Sequence, residues 1–213
     1  MNPDIFSSSF EHVQITYILE ALGTVAFAIS GIRLASAKRF DWFGAIVVGF
    51  VTAVGGGTTR DILLDQTPFW MLSSHYIWCT LVAFMIVAFF RKILVHLNNT
   101  IFWFDAIGLG LFTVVGYAKT MALGYPVWVG IFMATITGIV GGIIRDILIN
   151  EIPIIFTQEL YAMACIIGCL VFAFCLWLGI DFILTEIIVV FVVIAVRFIA
   201  TKYHLSLPTL KDD

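Results

Sequence analysis

Apolar runs of about 20 residues, separated by short polar stretches, recur along the whole chain. A helix of that length crosses a hydrocarbon core about 30 Å thick, so each run predicts a membrane span. The runs fall at about Val13–Ile32, from near Trp42 to before Pro68, about Ile77–Phe90 (a start nearer Ser73 is also open), about Ile101–Leu123, from Pro126 to before Pro153, about Tyr161–Leu178 and about Phe182–Ile199. Between them lie a polar lead over residues 1–12, a basic loop from Arg33 to Arg39, a loop with Arg91, Lys92, His96, Asn98 and Asn99, and a tight turn at Gly179-Ile180-Asp181. The pattern predicts an all-α polytopic membrane protein with seven transmembrane helices.

Two of the runs contain what a plain membrane anchor does not need. The second carries Gly55-Gly56-Gly57-Thr58-Thr59-Arg60-Asp61, and the fifth carries Gly141-Gly142-Ile143-Ile144-Arg145-Asp146. Each glycine costs a helix roughly 0.8–1 kcal/mol relative to alanine, and a charged pair in apolar surroundings adds a desolvation cost. Arg60 and Arg145 are 85 residues apart, and the same shift aligns Glu20-Ala21-Leu22-Gly23 with Asp105-Ala106-Ile107-Gly108. It also aligns Phe27 with Phe112, Gly31 with Gly116, Thr52 with Thr137, Pro68 with Pro153, and Tyr76 with Tyr161. The chain therefore reads as a single membrane domain holding a first three-helix repeat (13–93), a second (98–178) and a seventh helix (181–200) without a repeat partner. An odd number of spans per repeat makes the second copy enter from the opposite side. Inverted repeats of this kind place a substrate or permeation site near the midplane, at discontinuous helices in matching positions.

Composition agrees with the pattern. Of 213 residues, 62% are apolar and 12% charged, and the mean hydropathy is +1.08, far from the about 45–50% and 25% of soluble domains. With a net charge of −3 and no basic run, nothing points to nucleic acid. No Lys or Arg precedes Arg33, so the first run lacks the basic flank of a cleaved signal peptide and is expected to be retained. Cys79, Cys165, Cys169 and Cys175 lie in apolar runs and read as packing residues. No cofactor or structural metal is expected. The spans hold no Ser-His, His-carboxylate or Cys-His constellation, which argues against a membrane enzyme. An outside N-terminus puts Arg33, Lys38, Arg39, Arg91, Lys92, Arg145, Arg197, Lys202 and Lys211 on the cytoplasmic side, leaving only Arg60 and Lys119 opposite.

At a glycine break, free carbonyl oxygens can replace the hydration shell of a monovalent cation. Gly55, Gly56, Gly57, Gly141 and Gly142, with the hydroxyls of Thr52, Thr58, Thr59 and Thr137, are the candidate ion path. Close helix packing is the alternative use of such small residues. Arg60, Asp61, Arg145 and Asp146 form a candidate charge network, in which Arg60 can reach Asp146 or Glu20 across the bundle rather than its neighbour. Snorkelling at a helix end is the other reading for the arginines. Lys119 is a candidate gate or a snorkelling lysine, while Glu20 and Asp105 either draw cations to two mouths or favour helix N-termini. Transient potassium is expected at the glycine breaks.

The doubled glycine motif, its Arg-Asp pairs and the following Pro68 and Pro153 resemble the prokaryotic trimeric intracellular cation (TRIC) channel family, also called the glycine-transporter-domain family. The resemblance spans about residues 13–200. It implies a homotrimer in the plasma (inner) membrane of a prokaryote, with a potassium-permeable pore in each protomer, possible passage of sodium, and membrane lipids as surroundings. Glycine-kinked helices two and five would line the pore, and Lys119 is the nearest match to a gating basic residue of the fourth helix. Val140 stands where the first motif has Gly55, which implies a milder second break. A secondary transporter of a small zwitterion such as glycine is the alternative function.

Overall fold

Residues 10–90, 100–156 and 160–205 are described by a computed structural model, and every regular element among them is helical. The apolar runs become α1 (Phe10–Ala37), α2 (Trp42–Leu63), α3 (His75–Phe89), α4 (Thr100–Ala122), α5 (Val127–Leu148), α6 (Tyr161–Trp177) and α7 (Phe182–Lys202). Short 3-10 turns, Phe69–Met71 and Ile154–Phe156, follow α2 and α5. Five of the helices are long and apolar enough to cross a bilayer. The other two, α3 and α6, have 15 and 17 residues, or about 22 and 26 Å of helix.

Local chemistry sets the helix ends. Asp41 caps α2 by accepting from the Gly44 N–H at 2.7 Å, and Asp181 caps α7 by accepting from Ile183 and Leu184. Two residues past the ends of α2 and α5 stand residues of positive φ, Asp65 and Asn150, after which the Gln66 and Glu151 N–H groups reach back to the Asp61 and Asp146 carbonyls. Replacing Asp181 by alanine is expected to lower stability by about 1 kcal/mol, the usual worth of an N-cap; thermal unfolding in detergent measures it.

Helices α1, α2, α4 and α5 form the centre, each packed on two or more of the others. Helix α3 flanks α1, and α6 and α7 pack together against α5 and α4. Glu20, early in α1, meets Lys119, late in α4, so these repeat-equivalent helices run antiparallel. That is the inversion expected from three spans per repeat. Phe27 and Phe112, also equivalents, touch with ring centroids 5.3 Å apart. Equivalent residues can meet in this way only near the pseudo-two-fold axis.

Several expectations need correction. Neither α2 nor α5 is interrupted at its glycines; both remain helical throughout. Tertiary packing overrides the weak helix propensity of glycine there. Helix α1 continues to Ala37, so Arg33 belongs to it rather than to a loop. The loop from Arg91 to Asn99, with the repeat boundary near 93–98, lies outside the described residues, as does Lys211.

Candidate functional site

At the centre of the molecule α2 and α5 cross backbone to backbone. A Cβ on Gly56 would lie 2.0 Å from the Thr137 carbonyl oxygen, and one on Gly141 would lie 2.2 Å from that of Thr52. The two contacts are repeat equivalents of each other. Gly55 faces Ile144 and Gly141 across the same crossing, and Gly142 faces the Tyr161 hydroxyl. The candidate hydroxyls turn onto their own helices: Thr52 donates to Val48 O, Thr58 to Val54 O, Thr59 to Gly55 O and Thr137 to Met133 O. Such back-bonding bends a helix without breaking it.

A charge cluster lies at each end of this crossing. At one end Glu20, fully buried, accepts from Lys119 Nζ and from the Tyr76 hydroxyl, both at 2.6 Å. Nearby, Asp61 Oδ1 accepts from Arg60 Nε and Nη2 at 2.9 and 2.6 Å. At the other end Arg145 donates to Asp105 Oδ1 at 2.5 Å, to Asp146 Oδ1 at 2.8 Å and to the Ser30 hydroxyl at 2.8 Å. Arg197 Nη2 stands 3.9 Å from Asp105 Oδ2, and its guanidinium lies over the rings of Tyr161 and Phe102. Arg60 thus pairs with its own neighbour Asp61, not with Asp146 or Glu20 across the bundle, whereas Arg145 pairs both with its neighbour Asp146 and with Asp105 of α4. The arginines are buried rather than snorkelling. The second oxygen of each aspartate anchors the turn that follows: Phe69 N–H donates to Asp61 Oδ2 at 2.8 Å and Ile154 N–H to Asp146 Oδ2 at 3.1 Å.

Each cluster holds two cations and two carboxylates, Lys119 and Arg60 with Glu20 and Asp61, Arg145 and Arg197 with Asp105 and Asp146. Buried charges persist when they are paired and hydrogen-bonded. Glu20 and Asp105 therefore sit inside ion pairs rather than at open mouths. The repeat brought the glycines, threonines, Arg-Asp pairs and acids into view. It did not reveal Tyr76, Ser30, Phe69 or Arg197 as their partners. Tyr76 and Tyr161 were visible as matching positions; Arg197 carried the signal of a lone cation in an apolar run but sits in the helix outside the repeat. Glu186 is buried near the start of α7. Lys38 and Glu151 pair at the surface, joining the ends of α1 and α5.

Inverted three-helix repeats that meet at matching glycines and paired charges are an arrangement of membrane-transport proteins. The family model described as "Glycine transporter" matches this chain twice, at residues 17–92 and 102–177. A UPF0126 membrane protein of Vibrio cholerae is 38% identical over 92% of this chain and 82% of its own length. The UPF0126 inner membrane protein YadS of Escherichia coli K12 is also 38% identical, over 93% of this chain and 98% of its own. Among solved structures, the TRIC trimeric intracellular cation channel orthologue from Rhodobacter sphaeroides superposes with a TM-score of 0.84 at 32% identity, covering 90% of this chain and 99% of that one. The chain belongs to the TRIC family. It is a multi-pass membrane protein.

Proposed function

We propose that the chain is a cation channel, passing mainly potassium, with sodium as a second permeant ion, through a path within each protomer of a homotrimer. The observation that carries this reading is the pair of neutral charge clusters at pseudo-two-fold-related ends of the α2–α5 crossing, together with the likeness to a solved cation channel. Gly55 to Gly57, Gly141, Gly142, Thr52, Thr58, Thr59 and Thr137 would line the path once α2 and α5 bend apart. The threonine hydroxyls bond to their own helices in this conformation, which suits a closed state. The Glu20 end would face outward and the Asp105 end the cytoplasm, in the plasma membrane of a prokaryote, with lipids covering the exposed apolar faces of the helices.

Closure follows from electrostatics. A cation entering a low-dielectric passage meets the Lys119 ammonium and the Arg60 guanidinium before any free carboxylate, because Glu20 and Asp61 are already occupied. Of the four charges in this cluster Lys119 is the most accessible, its side chain about 29% exposed, which suits it to leave first. A charge that crosses the full membrane field gains about 2.3 kcal/mol per 100 mV, so withdrawal of Lys119 would make opening voltage-dependent.

Purified protein in planar bilayers under a potassium chloride gradient should give unitary currents reversing near the potassium potential. Reversal at the chloride potential overturns the cation reading. Saturable glycine uptake with counter-flow and no unitary steps would replace it with the transporter alternative. Lys119→Ala should raise basal cation flux and flatten the voltage dependence; an open probability unchanged across voltage would remove Lys119 from the gate.

A further inference from the structure

The 3-10 turn after α2 folds back over the Glu20 end and inserts Phe69 between the two ion pairs there. Its ring is buried, edge-on to Tyr76 with centroids 4.5 Å apart, with Lys119 Nζ 5.2 Å and Arg60 Cζ 5.9 Å from the ring centre. A cation within about 6 Å of an aromatic face is attracted by the ring quadrupole, most strongly where water is excluded. The ring thus touches both cations of the cluster, which have separate carboxylate partners. Beneath it lies Gly57, where an added Cβ would fall 2.4 Å from Phe69 Cε1. The turn itself has three residues, and the Phe69 N–H bond to Asp61 ties it to the cluster.

The Asp105 end keeps the backbone device and lacks the ring. Ile154 takes the place of Phe69, with the same N–H to aspartate bond but no π face. The aromatic partners of Arg197 there, Phe102 and Tyr161, stand on α4 and α6 rather than on a turn. The pseudo-symmetry is therefore broken where a side chain on a short connection meets the charges.

We infer that Phe69 is an aromatic shutter of the Glu20 end, holding Lys119 and Arg60 over the path and swinging away with its turn when Lys119 leaves Glu20. The ring, not only the ion pair, then sets how readily this end opens, and the two ends open with unequal ease. The inference rests on the channel reading.

Single-channel recording of the full chain with Phe69→Ala, Phe69→Leu and Phe69→Trp tests it. Losing the π face should raise the open-to-closed ratio at fixed voltage about tenfold in both the alanine and leucine variants, and Trp, the strongest cation–π partner, should hold it at or below the wild-type value. Unitary conductance and reversal potential should not move. Gly57→Ala, which displaces the ring without touching a charge, should also raise the ratio, whereas Ile154→Ala should leave it within about twofold, having no π face to lose. If Phe69→Ala does not fold, the leucine and tryptophan variants decide. Leucine behaving as wild type overturns the shutter, and so does an unchanged alanine variant. Wild-type currents with unaltered Phe69 variants reject the shutter alone; no cation current from the wild type rejects the channel reading and the shutter with it.

Discussion

Gly56→Ala and Gly141→Ala should each cost the protein about 3 kcal/mol or more, at or beyond the upper end of the overpacking range. Two effects oppose each other at these positions. Alanine favours a helix interior by about 0.8–1 kcal/mol over glycine, and both glycines lie inside uninterrupted helices. The added Cβ, however, would meet a backbone carbonyl oxygen of the crossing helix at 2.0 or 2.2 Å. A side-chain tip can rotate away, but a carbonyl in a helix moves only with its helix. The crossing would have to widen by more than an ångström, uncovering the core around Phe27 and Phe112. The clash wins, and the sign is destabilising. Thermal unfolding in detergent should show it for both single variants. Because the contacts are adjacent equivalents on one crossing, the double variant should lose less than the two losses added, since one separation relieves both. A stabilised Gly56→Ala protein would mean that α2 and α5 stand apart in the membrane, and that propensity rather than packing governs the site.

The same crossing shows why the sequence led further for some features than for others. Periodicity, helix ends and the inverted repeat are local or translational patterns, so Trp42–Leu63 and Val127–Leu148 emerge in register at the same 85-residue shift as the motifs. The glycines were legible as special, but not how they are used. A cluster of poor helix formers reads as a break, whereas a facing helix at contact distance turns the same cluster into a continuous helix with no Cβ in the way. Pairing of charges was the least legible part. Glu20 and Lys119 are 99 residues apart, and Arg60 has three acids at plausible reach in sequence terms, Asp61, Asp146 and Glu20, of which the adjacent Asp61 takes it. Asp105 draws Arg197 from the seventh helix, which repeat logic cannot supply because that helix has no counterpart. The backbone bonds from Phe69 and Ile154 to the motif aspartates explain a regularity that was visible without its cause: Asp61 and Asp146 each precede their turn by the same eight residues.

Arg145→Met should be the most damaging single change among the charges, lowering stability by about 3–5 kcal/mol, as breaking a buried ion pair does. Arg145 has no exposed side-chain surface and bonds to Asp105, Asp146 and Ser30 at once. Methionine fills similar volume, so the loss is electrostatic: among the described residues Asp105 keeps Arg197 at 3.9 Å, and Asp146 keeps the Ile154 N–H. Arg145→Lys should fall between, because an ammonium carries the charge without the planar fork that serves three partners. Adding Asp105→Asn to Arg145→Met should restore part of the stability, since the acid left unpaired is then neutral. Unfolding in detergent of the two singles and the double completes the cycle. At the Glu20 end, Lys119→Met should cost less, because that lysine is partly exposed and Glu20 retains Tyr76. Should Arg145→Met lose less than about 1 kcal/mol, the range of exposed pairs, the Asp105 cluster would be wet and unable to close the path. The barrier to cations would then lie at the Glu20 end and at the glycine crossing alone.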